Sequence, residues 1–164
     1  MPEKPEIYHA YLMSPVGPVE VRADDMGVLS VYFLDGEIPA GGQNTNAVAE
    51  LCVRELEEYF ARKRQTFTVP LHAEGTGFQQ KVWEQLSLLP YGKAVSYLDI
   101  SKALGDPNLT RAVGLANGKN PISIIVPCHR VIGADGSLTG YAGGMHRKKW
   151  LLMHEGIITQ QELF

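Results

Sequence analysis

The spacing of apolar residues changes once along this chain, and that change constrains its fold more than any other feature. Short runs rich in Val, Tyr and Phe, separated by Pro, Gly and Asp, predict three β-strands in an antiparallel meander. These runs are residues 6–12, 19–23 and 27–34. Further along, apolar residues follow the i, i+3, i+4 spacing of amphipathic helices. We therefore predict an α/β chain of the α+β kind, with a small antiparallel-sheet domain at residues 1–75 and a mainly helical domain at residues 76–164.

The first amphipathic helix is predicted at residues 47–64, after a loop at residues 38–46 that is rich in Gly and Asn. Cys52 lies on the apolar stripe of this helix, where a small buried residue is the usual occupant. The helix ends in a basic run, which suits the negative end of the helix dipole. We place the boundary between the two domains at residues 65–76.

Capping residues mark the helices of the second half. Thr76 and Gln79 form a capping box that begins one helix, and Ser96 begins a second, shorter helix with Asp99 three residues later. A third helix is predicted at residues 109–117. Two short helices joined by a tight turn that contains Gly are typical of a helix-turn-helix, a pattern that many other helical pairs share.

Shorter signals describe the rest of the chain. Residues 122–126 form an apolar, strand-like run, and Asp135 followed by Gly136 is a hairpin turn signal. Residues 140–144 form a Gly-rich loop, and a last helix is predicted at residues 145–155.

The third predicted helix consists mostly of Ala and Gly. Gly114 inside a helix costs about 1 kcal/mol relative to Ala, so its presence asks for a reason. One reason is close packing against another element, and the other is close approach to a narrow groove. In the second case Arg111 is the one long side chain on a smooth helix.

The formal net charge of −3 argues at first against a nucleic-acid partner. Residues 1–75 carry six Lys or Arg against twelve Asp or Glu, a balance of −6, whereas residues 76–164 carry nine against six, a balance of +3. Only the second half therefore favours phosphates, although an asymmetry of this size also arises by chance.

The two cysteines, Cys52 and Cys128, are too few for a disulfide framework or a Cys-rich zinc site, and they indicate a reducing compartment. We expect no metal and no cofactor. No apolar run approaches the roughly 20 residues that span a bilayer, and the N-terminal residues lack the apolar core of a signal peptide. These features predict a cytoplasmic protein without a membrane partner.

Cys128 stands directly before His129, a pair that can act in nucleophilic catalysis. A cysteine reacts as the thiolate, so we expect its pKa to be lowered. Neighbours in sequence do not face each other in regular structure, so His129 would take the thiol proton indirectly, for example through water. Glu155 lies at a helix C-terminus, where the dipole disfavours its charge, and is the candidate to orient the imidazole. On residue types alone, a core thiol beside an ordinary histidine remains the alternative.

The segment Pro127-Cys128-His129-Arg130 stands in register with several other motifs. These are Ser96-Tyr97, Arg111-Ala112-Val113-Gly114, Asn120-Pro121, Gly140-Tyr141-Ala142-Gly143-Gly144 and LLMHEG at residues 151–156. Together they resemble the prokaryotic branch of the O6-alkylguanine-DNA alkyltransferase family over residues 76–157, and residues 8–60 resemble its N-terminal domain more loosely. The resemblance implies a ribonuclease H-like fold for that domain and a helix-turn-helix in the other.

The resemblance implies a DNA-repair enzyme that flips O6-alkylguanine out of duplex DNA and keeps the alkyl group on Cys128, acting once. His129 would take the thiol proton through a bound water, and Glu155 would hold His129. Asn120 would bridge the active-site turn to the helix-turn-helix. Tyr97 would donate to guanine N3, so that the base leaves as a neutral species. The same chemistry on O4-alkylthymine stays open.

Other residues would hold the base. The carbonyls of Cys128 and Val131 would accept from the guanine amino group, the N–H of Ala142 would reach O6, and Tyr141 would wall the pocket, with Gly143 beside it. Ala142 lacks the hydroxyl that some members have there, which leaves the tolerance for bulky alkyl groups open. The N-terminal zinc ligands of animal members are absent.

The resemblance also implies how double-stranded DNA is bound. The recognition helix would enter the minor groove, which is only about 6 Å wide, and Arg111 would fill the space of the flipped base. The implied DNA-binding residues are Tyr97, Leu98, Thr110, Arg111, Ala112 and Gly114. We expect a monomer with the capacity for cooperative assembly on DNA.

Three other functions compete with this one. An alkyltransferase-like lesion binder shares the DNA-binding module but lacks the acceptor cysteine, and Cys128 is present here. A methylation-responsive regulator needs a further Cys-rich domain. A Cys-His-Glu hydrolase predicts turnover without a lasting mass gain, and it leaves Arg111 and its small-residue helix unexplained.

Overall fold

The computed structural model describes residues 6–41 and 44–159. The chain divides into two compact units, residues 1–74 and 75–164. Among the residues that the structure describes, no helix combines the length and the apolarity needed to cross a bilayer.

The N-terminal unit is a three-stranded antiparallel sheet covered by one helix. Strands β1 (Tyr8–Ser14), β2 (Gly17–Ala23) and β3 (Val28–Phe33) pair in the order β1-β2-β3, which confirms the predicted meander. Helix α1 (Ala47–Phe60) packs against all three strands. Its buried face includes Cys52, which is fully shielded, as the sequence predicted.

Helix α1 is shorter than the predicted 47–64, because the backbone turns at Arg62, whose φ is 62°. After this turn the chain runs back beside α1. The fully buried carboxylate of Glu55 accepts hydrogen bonds from the backbone N–H groups of Thr68 and Val69, at 2.9 Å each, and pairs with Arg64 at 2.9 Å. Residues 64–69 therefore belong to the N-terminal unit.

The C-terminal unit is mainly helical. It contains α2 (Gly77–Ser87), α3 (Tyr97–Ala103), α4 (Thr110–Gly118) and α5 (Met145–His154). The capping boxes predicted at Thr76 and Ser96 are both formed. Helices α2, α3 and α4 pack against one another, and a 3-10 turn at Pro107–Leu109 joins α3 to α4, which confirms the helix-turn-helix.

Two features of this unit differ from the predictions. The apolar run 122–126 is a series of turns rather than a strand, and Ile124 has a φ of 73°. In addition, a parallel pair of two-residue strands, β4 (Val95–Ser96) and β5 (Val131–Ile132), connects the start of α3 to the segment after Cys128. The predicted turn at Asp135 and Gly136 is present, closed by a 2.9 Å bond from Gly136 N–H to the Gly133 carbonyl.

Candidate active site

A buried amide shapes the turn that leads to Cys128. The Nδ2 group of Asn120 donates to the carbonyls of Val126 at 2.8 Å and Ile122 at 3.2 Å, and its Oδ1 accepts from Ile122 N–H at 3.0 Å. These bonds close the run 122–126 into a compact loop, which explains why apolar residues form turns there. Cys128 follows at the start of a 3-10 turn, Cys128–Arg130, and is only 4% exposed.

The next residue, His129, is fully buried, and its Nε2 atom lies 2.7 Å from Glu155 Oε2. Burial alone would raise the pKa of Glu155, but its bonds to His129 and Arg130 outweigh this and hold that pKa well below the ordinary range. The carboxylate is therefore charged at neutral pH and can only accept, so Nε2 carries the proton that it donates. Burial lowers the pKa of His129 against the effect of Glu155, which favours the neutral imidazole.

A neutral imidazole that donates from Nε2 presents a lone pair at Nδ1. The Nδ1 atom of His129 is buried and has no hydrogen-bond partner within residues 6–41 and 44–159. Buried polar atoms are nearly always paired, so an unpaired basic nitrogen in the residue that directly follows Cys128 points to a base that receives a proton.

Arg130 is a partner of Glu155 that sequence reasoning missed. Its Nε donates to Glu155 Oε1 at 2.7 Å, and its Nη1 donates to the Leu89 carbonyl at 2.8 Å. The Gly92 N–H also donates to Glu155 Oε1, at 3.2 Å. The positive guanidinium balances the buried carboxylate, so His129 need not be charged to do so. Glu155, at the end of α5, thus holds the side chains of both His129 and Arg130.

The pKa of the Cys128 thiol differs from the expectation. Burial raises its pKa, and the Asn120 side chain and the Lys148 charge offset only part of that effect. The prediction of a lowered thiol pKa is therefore wrong for this structure. The thiol keeps its proton at neutral pH, and a base must remove the proton before sulfur can attack.

A cavity of about 510 Å³ opens beside the helix-turn-helix. Its lining comes from α3, α4 and the loop before α5, and consists of Tyr97, Thr110, Gly114, Gly118, Thr139, Gly140, Tyr141 and Ala142. Cys128 is not among these lining residues. In its thiolate form Cys128 nevertheless adds to the effect of burial, which raises the pKa of Tyr141 well above its ordinary value, so Tyr141 lies within electrostatic range of the sulfur.

Helix α4 presents two different faces. Thr110, Gly114 and Gly118 recur at four-residue spacing and line the cavity, whereas Arg111 is exposed on the next face. Leu115 lies one turn after Arg111 and is 66% exposed, so Arg111 is not the one long side chain at this surface. The residues near Arg111 on this helix, such as Ala112 and Gly114, are small, as the sequence showed.

Three carbonyl groups at the predicted base-binding site already accept hydrogen bonds from side chains of the protein. The carbonyl of Val131 accepts from the buried Lys148 Nζ at 2.8 Å, and the carbonyl of Gly143 accepts from Arg147 Nη1 at 3.1 Å. The carbonyl of Cys128 accepts from Asn117 Nδ2 at 3.5 Å. Lys148 was missed because it stands in a basic run that is typical of a surface helix.

Comparison with known proteins

The C-terminal unit combines a helix-turn-helix with a buried cysteine that directly precedes a histidine bonded to a glutamate, the arrangement expected of a DNA-binding enzyme that uses a cysteine. Residues 77–157 match the DNA-binding domain of 6-O-methylguanine DNA methyltransferase, and residues 7–73 match its ribonuclease-like domain. The chain belongs to the 6-O-methylguanine DNA methyltransferase family.

Individual relatives agree with this assignment. The methylated-DNA–protein-cysteine methyltransferase of Methanosarcina acetivorans is 46% identical over 154 residues, which cover 92% of this chain and 99% of the relative. The crystal structure of the Mycobacterium tuberculosis O6-methylguanine methyltransferase is 40% identical, with a TM-score of 0.82, and the match covers 97% of this chain and 99% of that one. Mycobacterium tuberculosis OGT in complex with DNA is 42% identical, with a TM-score of 0.81 and coverage of 90% and 92%. The family resemblance and the ribonuclease-like N-terminal fold predicted from the sequence are confirmed.

Proposed function

We propose that this protein repairs duplex DNA by flipping out O6-alkylguanine and transferring the alkyl group irreversibly to Cys128. The observation that carries the proposal is the His129–Glu155 pair. It fixes the imidazole with Nε2 as donor and leaves the basic Nδ1 atom without a partner among the described residues, in the residue that directly follows a thiol that needs a base. Family membership supplies the reaction class, and its relatives include a protein solved in complex with DNA.

The proposed reaction begins with proton transfer. His129 Nδ1 takes the thiol proton of Cys128 through a water molecule, and Glu155 stabilises the imidazolium that forms. The thiolate then attacks the alkyl carbon, so that the S–C bond forms while the C–O6 bond breaks and its electron pair passes to the base. Tyr97 donates its hydroxyl proton to guanine N3, and solvent restores Tyr97 and takes the proton from His129. The product is a thioether, which has no leaving group for a second turn.

Main-chain groups recognise the flipped base in this proposal. The carbonyls of Cys128 and Val131 accept from the guanine amino group. The Val131 carbonyl has a second lone pair for this beside its bond to Lys148 Nζ. The Cys128 carbonyl already accepts from the Val131 N–H and, at 3.5 Å, from Asn117 Nδ2, so the base would share it with these donors. The Ala142 N–H donates to O6, and Tyr141 walls the pocket beside Gly143. Asn120 shapes the turn that places Cys128.

The residue 75–164 unit is proposed to bind DNA with α4 in the minor groove, as a monomer that can assemble cooperatively and acts in the cytoplasm. Thr110, Ala112 and Gly114 allow close approach because they are small, and Arg111 takes the place of the flipped base. Tyr97 and Leu98, at the N-terminus of α3, contact the DNA beside it.

The rate of transfer is expected to hold as the pH falls to 6.5, the ordinary histidine pKa, and to drop only at lower pH. Burial lowers the pKa of His129, so the folded protein binds this proton only in more acid solution, and the neutral base persists. Single-turnover rates with the free base O6-benzylguanine, measured against pH, avoid any effect on DNA binding. A decline centred above pH 6.5 would contradict this assignment of the base.

The proposal as a whole is tested by locating the transferred group. After incubation with a duplex that contains O6-methylguanine, intact mass and peptide mapping should find one added methyl group, on Cys128. An identical duplex with unmodified guanine should add none. A methyl group on Cys52, or no mass gain, would overturn the proposal.

A further inference from the structure

Thr139 connects two parts of the candidate site and has no role in the proposed reaction. Its Oγ1 atom lies 2.6 Å from the Tyr97 hydroxyl, and both residues line the cavity. Its carbonyl accepts from Lys148 Nζ at 3.0 Å, and the same Nζ donates to the Val131 carbonyl at 2.8 Å. Thr139 is thus connected on one side to Tyr97 and on the other to the segment that follows Cys128.

Lys148 makes this connection rigid. Its side chain is fully buried, and an ammonium group has three donors, of which two are used on these two carbonyls. Breaking either bond would leave a buried charge poorly solvated, which is costly. The backbone of Thr139 is therefore fixed relative to β5, although its side chain is exposed.

The Thr139–Tyr97 bond can run in either direction, because each hydroxyl can donate or accept. If the Tyr97 hydroxyl donated its hydrogen bond to Thr139, it could not donate to guanine N3. The phenol is the more acidic of the two hydroxyls, so it donates to a ring nitrogen that arrives. The Thr139 hydroxyl is then free to rotate and to donate to the phenol oxygen, which becomes more negative as its proton moves towards the base.

Resting on the proposed function, we infer that Thr139 is a positioning residue for alkyl transfer: its hydroxyl donates to the Tyr97 oxygen and directs the Tyr97 proton to N3 of the flipped base. The inferred chain runs from Lys148 through the Thr139 backbone to the Thr139 hydroxyl, then to Tyr97 and the base. Thr139 itself contacts neither the alkyl group nor the sulfur.

Single-turnover transfer from O6-methylguanine in duplex DNA tests this chain. Thr139→Val keeps the shape but removes the hydroxyl, and should slow transfer about three- to tenfold, as expected for one lost hydrogen bond. Thr139→Ser keeps the hydroxyl and should recover most of the rate. Ser137→Ala removes a nearby hydroxyl of the same loop and serves as the matched control, with no slowing expected.

Two further readouts separate positioning from simple packing. In a Tyr97→Phe background, Thr139→Val should add no further slowing, because the hydroxyl that it orients is gone. With O6-methyl-3-deazaguanine, which lacks the N3 acceptor, Thr139→Val and the unmodified protein should react at the same rate.

The contrary results are distinct. Slowing that persists in the Tyr97→Phe background, or with the 3-deaza base, would show that Thr139 acts through the loop and would overturn the inference. A Thr139→Val protein that reacts faster would show that Thr139 withholds the Tyr97 proton, which also overturns it. An unmodified protein that transfers no methyl group at all would instead refute the proposed function.

Discussion

Replacing Glu155 with glutamine is expected to lower the free energy of unfolding by about 3–5 kcal/mol, the usual cost of breaking a buried ion pair by removing one partner. The glutamine leaves the Arg130 guanidinium, now bonded at 2.7 Å, buried without a countercharge. It also removes the carboxylate that holds His129 Nε2 at 2.7 Å. The variant should therefore be both less stable and slower.

The expected loss of rate follows from the role of the imidazole. A positioned general base contributes roughly 10²–10⁴-fold, and a base in the wrong tautomer loses much of this, so transfer by the folded Glu155→Gln protein should slow by about tenfold or more. Chemical denaturation and single-turnover transfer measure the two effects separately. Glu84→Gln, at an exposed position on α2, is the matched control and should change neither. An unchanged rate together with unchanged stability would remove Glu155 from the mechanism.

Replacing Arg111 with alanine is expected to slow repair of duplex DNA by about ten- to a hundredfold. Unpairing and unstacking a base costs a few kcal/mol, and a side chain that fills the vacated space offsets part of that cost. The free base O6-benzylguanine needs no flipping, so its reaction with Arg111→Ala should change much less. Arg111→Lys should be intermediate, because it keeps the charge but loses the planar guanidinium.

A second cation on the same helix separates base flipping from general phosphate attraction. Lys119 is exposed at the C-terminal end of α4, and Lys119→Ala should weaken binding in a salt-dependent way while leaving the rate at saturating protein nearly unchanged. Equal slowing of Arg111→Ala on duplex and free base would show that Arg111 acts through the fold or the pocket, and its role in base flipping would have to be abandoned.

The sequence best predicted the features that depend on residues close together in the chain. The capping boxes at Thr76 and Ser96 depend on residues three positions apart, and both helices begin where these boxes place them. The strands of the meander are rich in Val, Tyr and Phe, are separated by turn residues and pair with their neighbours in sequence, so their order also followed. Cys128 and His129 were visible as an adjacent pair and Glu155 from its place at a helix C-terminus, and the family motifs carry all three.

Apart from the His129–Glu155 pair, the sequence could not show contacts that arise only when the chain folds. The apolar run before Cys128 turns because the Asn120 amide bonds its carbonyls, and a strand and a buried turn share the same apolar composition. Arg130 meets Glu155 across 25 positions. Lys148 is fully buried, whereas its neighbour Lys149 is not, and only the packing of α5 distinguishes them. The thiol pKa rises for the same reason, because burial is a property of the folded chain.

The stoichiometry of methyl transfer tests the central claim most directly. With a duplex containing O6-methylguanine in large excess, we expect each protein molecule to remove one methyl group and then to stop, with its mass raised by that one group. Cys128→Ser should remove none and still bind the DNA. Continued removal of methyl groups beyond one per protein molecule, without a lasting change in protein mass, would contradict the account.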